Sequence, residues 1–154
     1  MHPPFCASVL LFLALILGGC TSSTSASDGM LRGRVVALSD GDTITVLDAG
    51  KTQHKIRLTG IDAPERRQPF GTRSTEHLSG LVFQKEVEVE WTKRDRWGRI
   101  LGKVLVAEPG CEGQACPKID ANLAQISAGM AWWYRQYARD QPSTDRLAYE
   151  QAEA

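Results

Sequence analysis

A short run of β-favouring residues that ends in a proline turn most constrains how this chain can fold. Residues 56–61 are mostly apolar or β-branched and favour a strand, whereas Pro64 has no backbone N–H to donate to a sheet and makes the residue before it extended. The run therefore predicts a strand that carries Arg57 into a turn presenting Asp62 and Glu65. The same pattern is typical of an ordinary turn or helix start, so it does not decide the function alone.

A predicted hairpin lies before this strand and adds another carboxylate. The pair Asp40-Gly41 separates the β-favouring residues 34–37 from residues 44–47, and Asp-Gly between two such runs is a strong hairpin signal. Asp42 follows the turn, where a second acidic side chain has no role in turn formation. It is therefore a candidate functional residue.

A second predicted hairpin lies after the strand and supplies a second arginine. Residues 94–99 are polar and contain a glycine, and they separate the alternating residues 87–91 from the apolar residues 100–105. Arg99 opens the outgoing strand of this hairpin.

The three segments together contain the groups needed to cleave a phosphodiester. Asp42 and Asp62 offer hard carboxylate oxygens, which suit Ca²⁺ or Mg²⁺. Arg57 and Arg99 offer two guanidinium forks that match a phosphate. Glu65 can take a proton from an attacking water molecule.

Three motifs, covering the chain from about Leu31 to its C-terminus, resemble those of the staphylococcal nuclease family. They are Asp40-Gly41-Asp42-Thr43, Arg57-Leu58-Thr59-Gly60-Ile61-Asp62-Ala63-Pro64-Glu65 and Asp95-Arg96-Trp97-Gly98-Arg99. The resemblance implies that Ca²⁺ is bound by Asp42, Asp62 and the backbone carbonyl of Ala63. It also implies a catalytic trio of Arg57, Glu65 and Arg99.

The function implied by this resemblance is that of a Ca²⁺-dependent endonuclease. Its substrates would be single-stranded or unstructured DNA and RNA, cleaved by attack of water on phosphorus while the two arginines stabilise the transition state. Arg96, Tyr134 and Tyr137 are the predicted substrate contacts, and the sequence does not choose between the two tyrosines.

The order of the predicted elements indicates the fold class. Three strands in a meander, a helix, a two-strand hairpin and two further helices predict a β-rich α+β fold, a five-stranded OB-type barrel with about three flanking helices. The helical patterns cover residues 72–84, 120–129 and 143–154. The last pattern opens with Ser143 as a cap and has no stop signal, so this helix is either short or truncated. A barrel of this type also fits a catalytically inactive nucleic-acid binder or an oligosaccharide-binding module. An inactive nucleic-acid binder would be free to lose the two arginines and Glu65, and an oligosaccharide-binding module would have no use for them.

The N-terminal sequence predicts export and attachment to a membrane. Residues 5–16 are apolar and have the length of a signal-peptide core, and Leu17-Gly18-Gly19-Cys20 resembles a bacterial lipobox. We predict a lipoprotein signal peptide over residues 1–19, a tether over residues 20–29 that begins at a lipid-modified Cys20, and one domain over residues 30–154. The protein would be a monomer anchored on the periplasmic or outer side of a membrane. No Lys or Arg precedes the apolar run, so initiation at Met30 is the alternative.

Two cysteines lie close together in a glycine- and proline-containing loop. In an exported chain Cys111 and Cys116 are expected to form a disulfide, whereas a zinc site would need two further ligands. Free thiols are expected if Met30 is the true start. His54 and His77 stand alone, without a partner at metal-ligand spacing.

The formal net charge is zero and does not by itself predict a nucleic-acid binder. Its distribution is more informative, because residues 51–103 contain 12 Lys or Arg and 7 Asp or Glu, a local excess of five positive charges. This excess surrounds the proposed phosphate site and would attract a polyanion.

Overall fold

The structure is a computed structural model that describes residues 29–111, 113 and 115–154. The predicted signal peptide, Cys20 and the tether as far as residue 28 lie outside the described residues. Gly29, which we assigned to the tether, is instead the first residue of the first strand and pairs with Trp91. None of the helices in the described ranges has the length and hydropathy needed to cross a membrane.

The first strand is the longest, and it pairs with two neighbouring strands. They are β1 Gly29–Asp40, β2 Thr43–Asp48, β3 Gln53–Leu58, β4 Ile61–Asp62, β5 Glu86–Arg94, β6 Ile100–Ala107, β7 Lys118–Asp120 and β8 Trp132–Trp133. The helices are α1 Gly71–Val82, α2 Ala121–Ser127 and α3 Ser143–Glu153, and a 3₁₀ segment covers Arg135–Asp140.

Five of these strands close into a barrel. The order in the sheet is β3-β2-β1-β5-β6, with antiparallel neighbours, and a parallel pairing of β3 with β6 joins the two edges. The predicted five-stranded barrel with flanking helices is therefore confirmed. Strand β7 extends the sheet beyond β6, whereas β4 and β8 form a separate two-stranded sheet.

The barrel closes because alternate side chains of each strand point inward to one apolar core. In β6, for example, Ile100, Gly102, Val104 and Val106 are buried, while the residues that alternate with them are half-buried. Leu78 and Val82 of α1 cover this core from outside. Burial of such side chains supplies the main favourable free energy of folding.

The strand predicted over residues 56–61 was wrong in one respect, because it breaks at Thr59 and Gly60. Gly60 has a φ of +74°, which favours glycine, and a Cβ built there would lie 2.0 Å from Nε2 of Gln141. The break turns β4 away from the barrel, so that Ile61 and Asp62 pair with the two residues of β8.

The start of the last helix also differs from the prediction. Pro142 occupies the cap position of α3, and Ser143 is the first helical residue and makes no capping hydrogen bond. Proline in this position suits the start of a helix because it needs no N–H partner there.

Candidate active site

Arg57 joins the two predicted metal-binding carboxylates. It projects from β3, and its Nη1 lies 3.0 Å from Oδ2 of Asp42, while its Nη2 lies 3.0 Å from Oδ1 of Asp62. Nη1 also donates hydrogen bonds to the carbonyl oxygens of Leu58 and Ile61, at 3.0 and 2.9 Å. The guanidinium is thus held in one orientation, and the structure brings these three predicted site residues into direct contact.

Asp42 is a buried carboxylate, with a residue exposure of 5%. Its Oδ1 accepts a hydrogen bond from the Thr43 hydroxyl at 2.9 Å, and its Oδ2 accepts one from the Ala63 N–H at 2.9 Å. Burial raises the pKa of Asp42 to about 7, because Arg57 offsets the loss of solvation only in part. A further positive charge beside Asp42 would therefore stabilise the ionised form.

Asp62 is held at the edge of the site by the C-terminal part of the chain. Its side chain is 53% exposed, and its backbone pairs with Trp132 across the two-stranded sheet. The neighbouring N–H of Trp133 donates to Oε1 of Glu153 in α3, at 2.8 Å. Residues some 70 to 90 positions later in the chain thus fix the strand that carries Asp62.

Glu65 lies on the exposed loop that follows β4. Its N–H donates to Oε1 of Gln68 at 2.8 Å, and the Gln68 N–H donates back to the Glu65 carbonyl at 2.8 Å. Within the described residues, the Glu65 carboxylate makes no hydrogen bond or ion pair. It does not line the groove that contains the two arginines.

A groove of about 590 Å³ opens beside Arg57. Among its lining residues are several of the predicted site residues, namely Arg57, Asp62, Arg96, Arg99, Tyr134 and Tyr137. The predicted residues Asp42, Ala63 and Glu65 are not part of this lining. An ion pair of Lys93 with Asp140, at 2.6 Å, lies in the groove wall, and nothing in the sequence pattern indicated it.

Asp95 fixes Arg99, a role that the sequence analysis did not identify. Its Oδ1 accepts hydrogen bonds from the backbone N–H groups of Trp97 and Arg99, both at 2.9 Å, and its Oδ2 accepts one from Nε of Arg99 at 2.7 Å. Although burial opposes ionisation, these bonds hold the pKa of Asp95 below its usual range. The two terminal nitrogens of Arg99 have no hydrogen-bond partner in the described chain and can bind an anion.

The tip of this hairpin presents an aromatic ring flanked by cations. Trp97 is 66% exposed, and the guanidinium carbons of Arg96 and Arg99 lie 4.2 and 5.2 Å from its ring centroid. Tyr134 and Tyr137 pack edge to face, with ring centroids 5.0 Å apart. Both tyrosines line the groove, so the structure does not choose between them either.

The donor set near Arg57 suits a hard cation. Asp42 and Asp62 offer only oxygen, and Ala63, whose N–H donates to Asp42, directly follows Asp62 in the chain. Among the residues that the structure describes, no three His, Cys, Asp or Glu side chains are grouped closely enough to hold a metal ion. A cation here would therefore depend on two carboxylates, backbone oxygen and water.

The cysteine pair lies on a different part of the fold. Cys111 and Cys116 form a disulfide, with their Cα atoms 5.8 Å apart, in the connection between β6 and β7. Neither residue lines the groove beside Arg57.

A closed five-stranded barrel that carries two arginines and two carboxylates beside one groove defines a protein of the OB-fold class with a candidate phosphate site. The family model described as "Staphylococcal nuclease homologue" matches residues 55–154 of the chain. The chain belongs to the staphylococcal nuclease family.

Relatives in bacteria agree with this assignment. The chain is 38% identical over 131 residues to an uncharacterised endonuclease of Haemophilus influenzae, and the aligned region covers 85% of this chain and 65% of that protein. It is 45% identical over 109 residues to the protein ParB of Escherichia coli, covering 71% and 60%. It is 41% identical over 121 residues to a micrococcal nuclease of Shigella flexneri, covering 77% and 66%. The chain thus spans a little less than two thirds of the length of these relatives.

Proposed function

We propose that the protein is a Ca²⁺-dependent nuclease that hydrolyses single-stranded or unstructured DNA and RNA. The observation that carries the proposal is the contact of Arg57 with both Asp42 and Asp62, beside a groove that also contains Arg99. Membership of the family and the printed names of two relatives, an endonuclease and a micrococcal nuclease, support it.

The two arginines would act on the phosphate. Negative charge grows on the non-bridging oxygens of a phosphodiester under attack, so a fixed guanidinium binds the transition state better than the ground state. Arg99 is oriented by Asp95, and its terminal nitrogens make no hydrogen bond to any residue that the structure describes. Both terminal nitrogens of Arg57 already contact carboxylate or carbonyl oxygens in this structure. Its Nη2 would therefore have to leave Asp62 to bind a phosphate.

Asp42, Asp62 and the carbonyl of Ala63 would hold the Ca²⁺ ion. When bound, the ion would supply positive charge next to the phosphate and polarise a water molecule. The buried carboxyl of Asp42, whose pKa burial raises to about 7, supports this assignment because the residue is stabilised by a further cation. The same oxygens would suit Mg²⁺ less well, since Mg²⁺ requires a stricter octahedral arrangement than a site built partly from carbonyl oxygen provides.

Glu65 would take the proton from the attacking water. A general base must come within hydrogen-bond reach of its proton, and geometry in the absence of substrate does not exclude a candidate. The free carboxylate of Glu65, on the loop three residues beyond Asp62, is compatible with this role once a strand of nucleic acid covers the edge of the groove.

The test is cleavage of heat-denatured DNA by Arg57→Lys, Arg99→Lys and Glu65→Gln, with folding checked by circular dichroism. Lysine keeps the charge but loses the planar fork, so each arginine variant should lower kcat by about 10²-fold, more than it raises KM. The matched control is Arg34→Lys, because Arg34 is an exposed arginine of β1 whose Nε pairs with Glu86. Near-parental rates in all three variants would indicate a barrel that binds nucleic acid and cleaves it, if at all, by other residues.

Metal dependence is tested separately. A chelator should abolish cleavage, and Ca²⁺ should restore it better than Mg²⁺. Equal rates with the two ions would contradict the Ca²⁺ assignment.

We also propose that Cys20 is lipidated and anchors a monomeric enzyme to a membrane, facing the periplasm or the cell exterior. The apolar residues 5–16 and the sequence that precedes Cys20 support this. The residues concerned lie outside the described part of the structure.

A further inference from the structure

A fully buried glutamine ties helix α2 to the turn that carries Asp42. Gln125 has no exposed surface, and its Nε2 donates hydrogen bonds to the carbonyl oxygen of Gly41 at 2.7 Å and to that of Ser74 at 3.1 Å. A polar side chain buried on the inner face of a helix is costly unless it is hydrogen-bonded, so these contacts account for its presence there.

The orientation of the Gln125 amide is determined by its surroundings. Two carbonyl oxygens face Nε2, so the amide nitrogen must point towards them and Oε1 must point away. Oε1 meets Nδ1 of His77 in α1, and that nitrogen must therefore carry the proton. His77, which the sequence analysis left without a partner, thus completes the network.

The turn itself rests directly on α1. A Cβ built on Gly41 would lie 1.8 Å from Oγ of Ser74, so glycine is needed for this close approach. The Ser74 hydroxyl donates to the carbonyl of Met130 at 2.7 Å, which fixes it in turn.

The bond from Gln125 acts on the peptide group that leads into Asp42. The carbonyl of Gly41 and the N–H of Asp42 belong to one planar unit. Gln125 binds the oxygen of this unit, and Oδ1 of Asp40 accepts from its N–H at 3.2 Å. Two side chains therefore fix the orientation of this peptide plane. The plane in turn fixes the direction in which the Asp42 side chain leaves the backbone.

We infer that Gln125 is a positioning residue that orients Asp42 for cation binding. The inference rests on the proposed function, in which Asp42 is a Ca²⁺ ligand. Gln125 does not line the groove and binds no carboxylate of the site, and its direct contact with the segment that carries Asp42 is the bond to the Gly41–Asp42 peptide. Loss of a group that orients a metal ligand typically weakens metal affinity by 10- to 100-fold.

The experiment compares Gln125→Met with the parent and with the control Tyr149→Phe. Methionine has nearly the same length but no amide. Tyr149 is equally buried and donates to Asp120 at the start of the same helix, so its loss also removes one buried hydrogen bond, but at a distance from the turn. Ca²⁺ affinity is measured by calorimetry, cleavage is measured as a function of Ca²⁺, and amide hydrogen exchange of Asp42 is followed by NMR in chelator.

We expect Gln125→Met to bind Ca²⁺ at least about 10-fold more weakly. It should recover the parental cleavage rate when Ca²⁺ is raised in proportion, and its Asp42 amide should exchange faster than that of the parent. Tyr149→Phe should change none of the three. Parental Ca²⁺ affinity and parental exchange in folded Gln125→Met would overturn the inference.

Two further outcomes remain decisive. If Gln125→Met does not fold, the second variant is His77→Ala, which removes only the half-buried partner of Gln125. This variant must still weaken Ca²⁺ binding and speed amide exchange at Asp42. Parental values for both would overturn the inference. If the parent itself neither binds Ca²⁺ nor cleaves DNA, the proposed function fails, whereas the exchange measurement in chelator still decides whether Gln125 fixes the turn.

Discussion

Replacing Asp42 by asparagine should make the metal-free protein more stable while removing the cation binding that we propose for Asp42. The carboxyl is buried, and burial raises its pKa to about 7. Asparagine has nearly the same shape, its oxygen can still accept from the Ala63 N–H, and the Thr43 hydroxyl can reorient to accept from the new amide. The substitution therefore removes a poorly solvated charge without leaving a buried donor unpaired.

The size of the effect follows from the pKa of Asp42. Raising it from 3.8 to about 7 corresponds to about 4 kcal/mol at 1.36 kcal/mol per tenfold change in proton affinity. Between pH 4 and pH 7 the folded parent keeps a proton on Asp42 that the unfolded chain has released. The free energy of unfolding of the parent therefore falls by up to about 1.4 kcal/mol per pH unit over this range. Asparagine does not titrate, so the advantage of the variant should grow from near zero at pH 4 to at most about 4 kcal/mol at pH 7 and above.

The assay is urea denaturation of the parent and Asp42→Asn between pH 4 and pH 8 in the presence of chelator. Ca²⁺ added at pH 7.5 should then stabilise the parent but not the variant, because only the parent has the carboxylate that would bind it. An Asp42→Asn variant that is less stable than the parent at pH 7.5 in chelator would refute the argument, since the ionised carboxylate would then be stabilised rather than strained by its site.

The remaining predictions concern other parts of the chain. Reduction of the bond between Cys111 and Cys116 should lower the free energy of unfolding by about 2 kcal/mol, because the closed loop is short, and should leave DNA cleavage intact; loss of cleavage under mild reductant would contradict this. Tyr149→Phe should lower the free energy of unfolding by about 1–2 kcal/mol in a urea titration, because its hydroxyl donates to Asp120 at 3.0 Å. Cys20→Ala should release the protein from the membrane fraction, and unchanged fractionation would exclude the lipid anchor.

The parts of the fold that were predicted from the sequence are those that depend on local signals. The hairpin at Asp40-Gly41 and the one that ends at Arg99 are confirmed, since alternating strands and glycine-containing turns identify themselves over about ten residues. The contact between Arg57 and Asp62 is also local, because only five positions separate them. Barrel closure followed from the order of these elements.

Features that depend on distant pairing were not predictable in this way. Strands of two residues, such as β4 and β8, are too short to show a period, and they pair across 70 positions. Gln125 lies within the helical pattern over residues 120–129, and nothing in its neighbours indicates that it binds a carbonyl 84 positions earlier. The role of Asp95 was missed for another reason, because its residue type also suits a plain turn.

The pairing of β4 with β8 gives the chain a definite order of assembly. Asp62 lies on a strand that pairs with Trp132, 70 positions later, and the N–H of the next residue, Trp133, donates a hydrogen bond to Glu153. At a synthesis rate of about 5–20 residues per second, roughly 4 to 14 seconds pass between the emergence of the two strands. During that interval the nascent chain can form its first hairpin, yet the edge that presents Asp62 has no neighbour. A fold built this way completes the strand that carries Asp62 only after residues 132–153 have been made, so the candidate site cannot form from the first half of the chain alone.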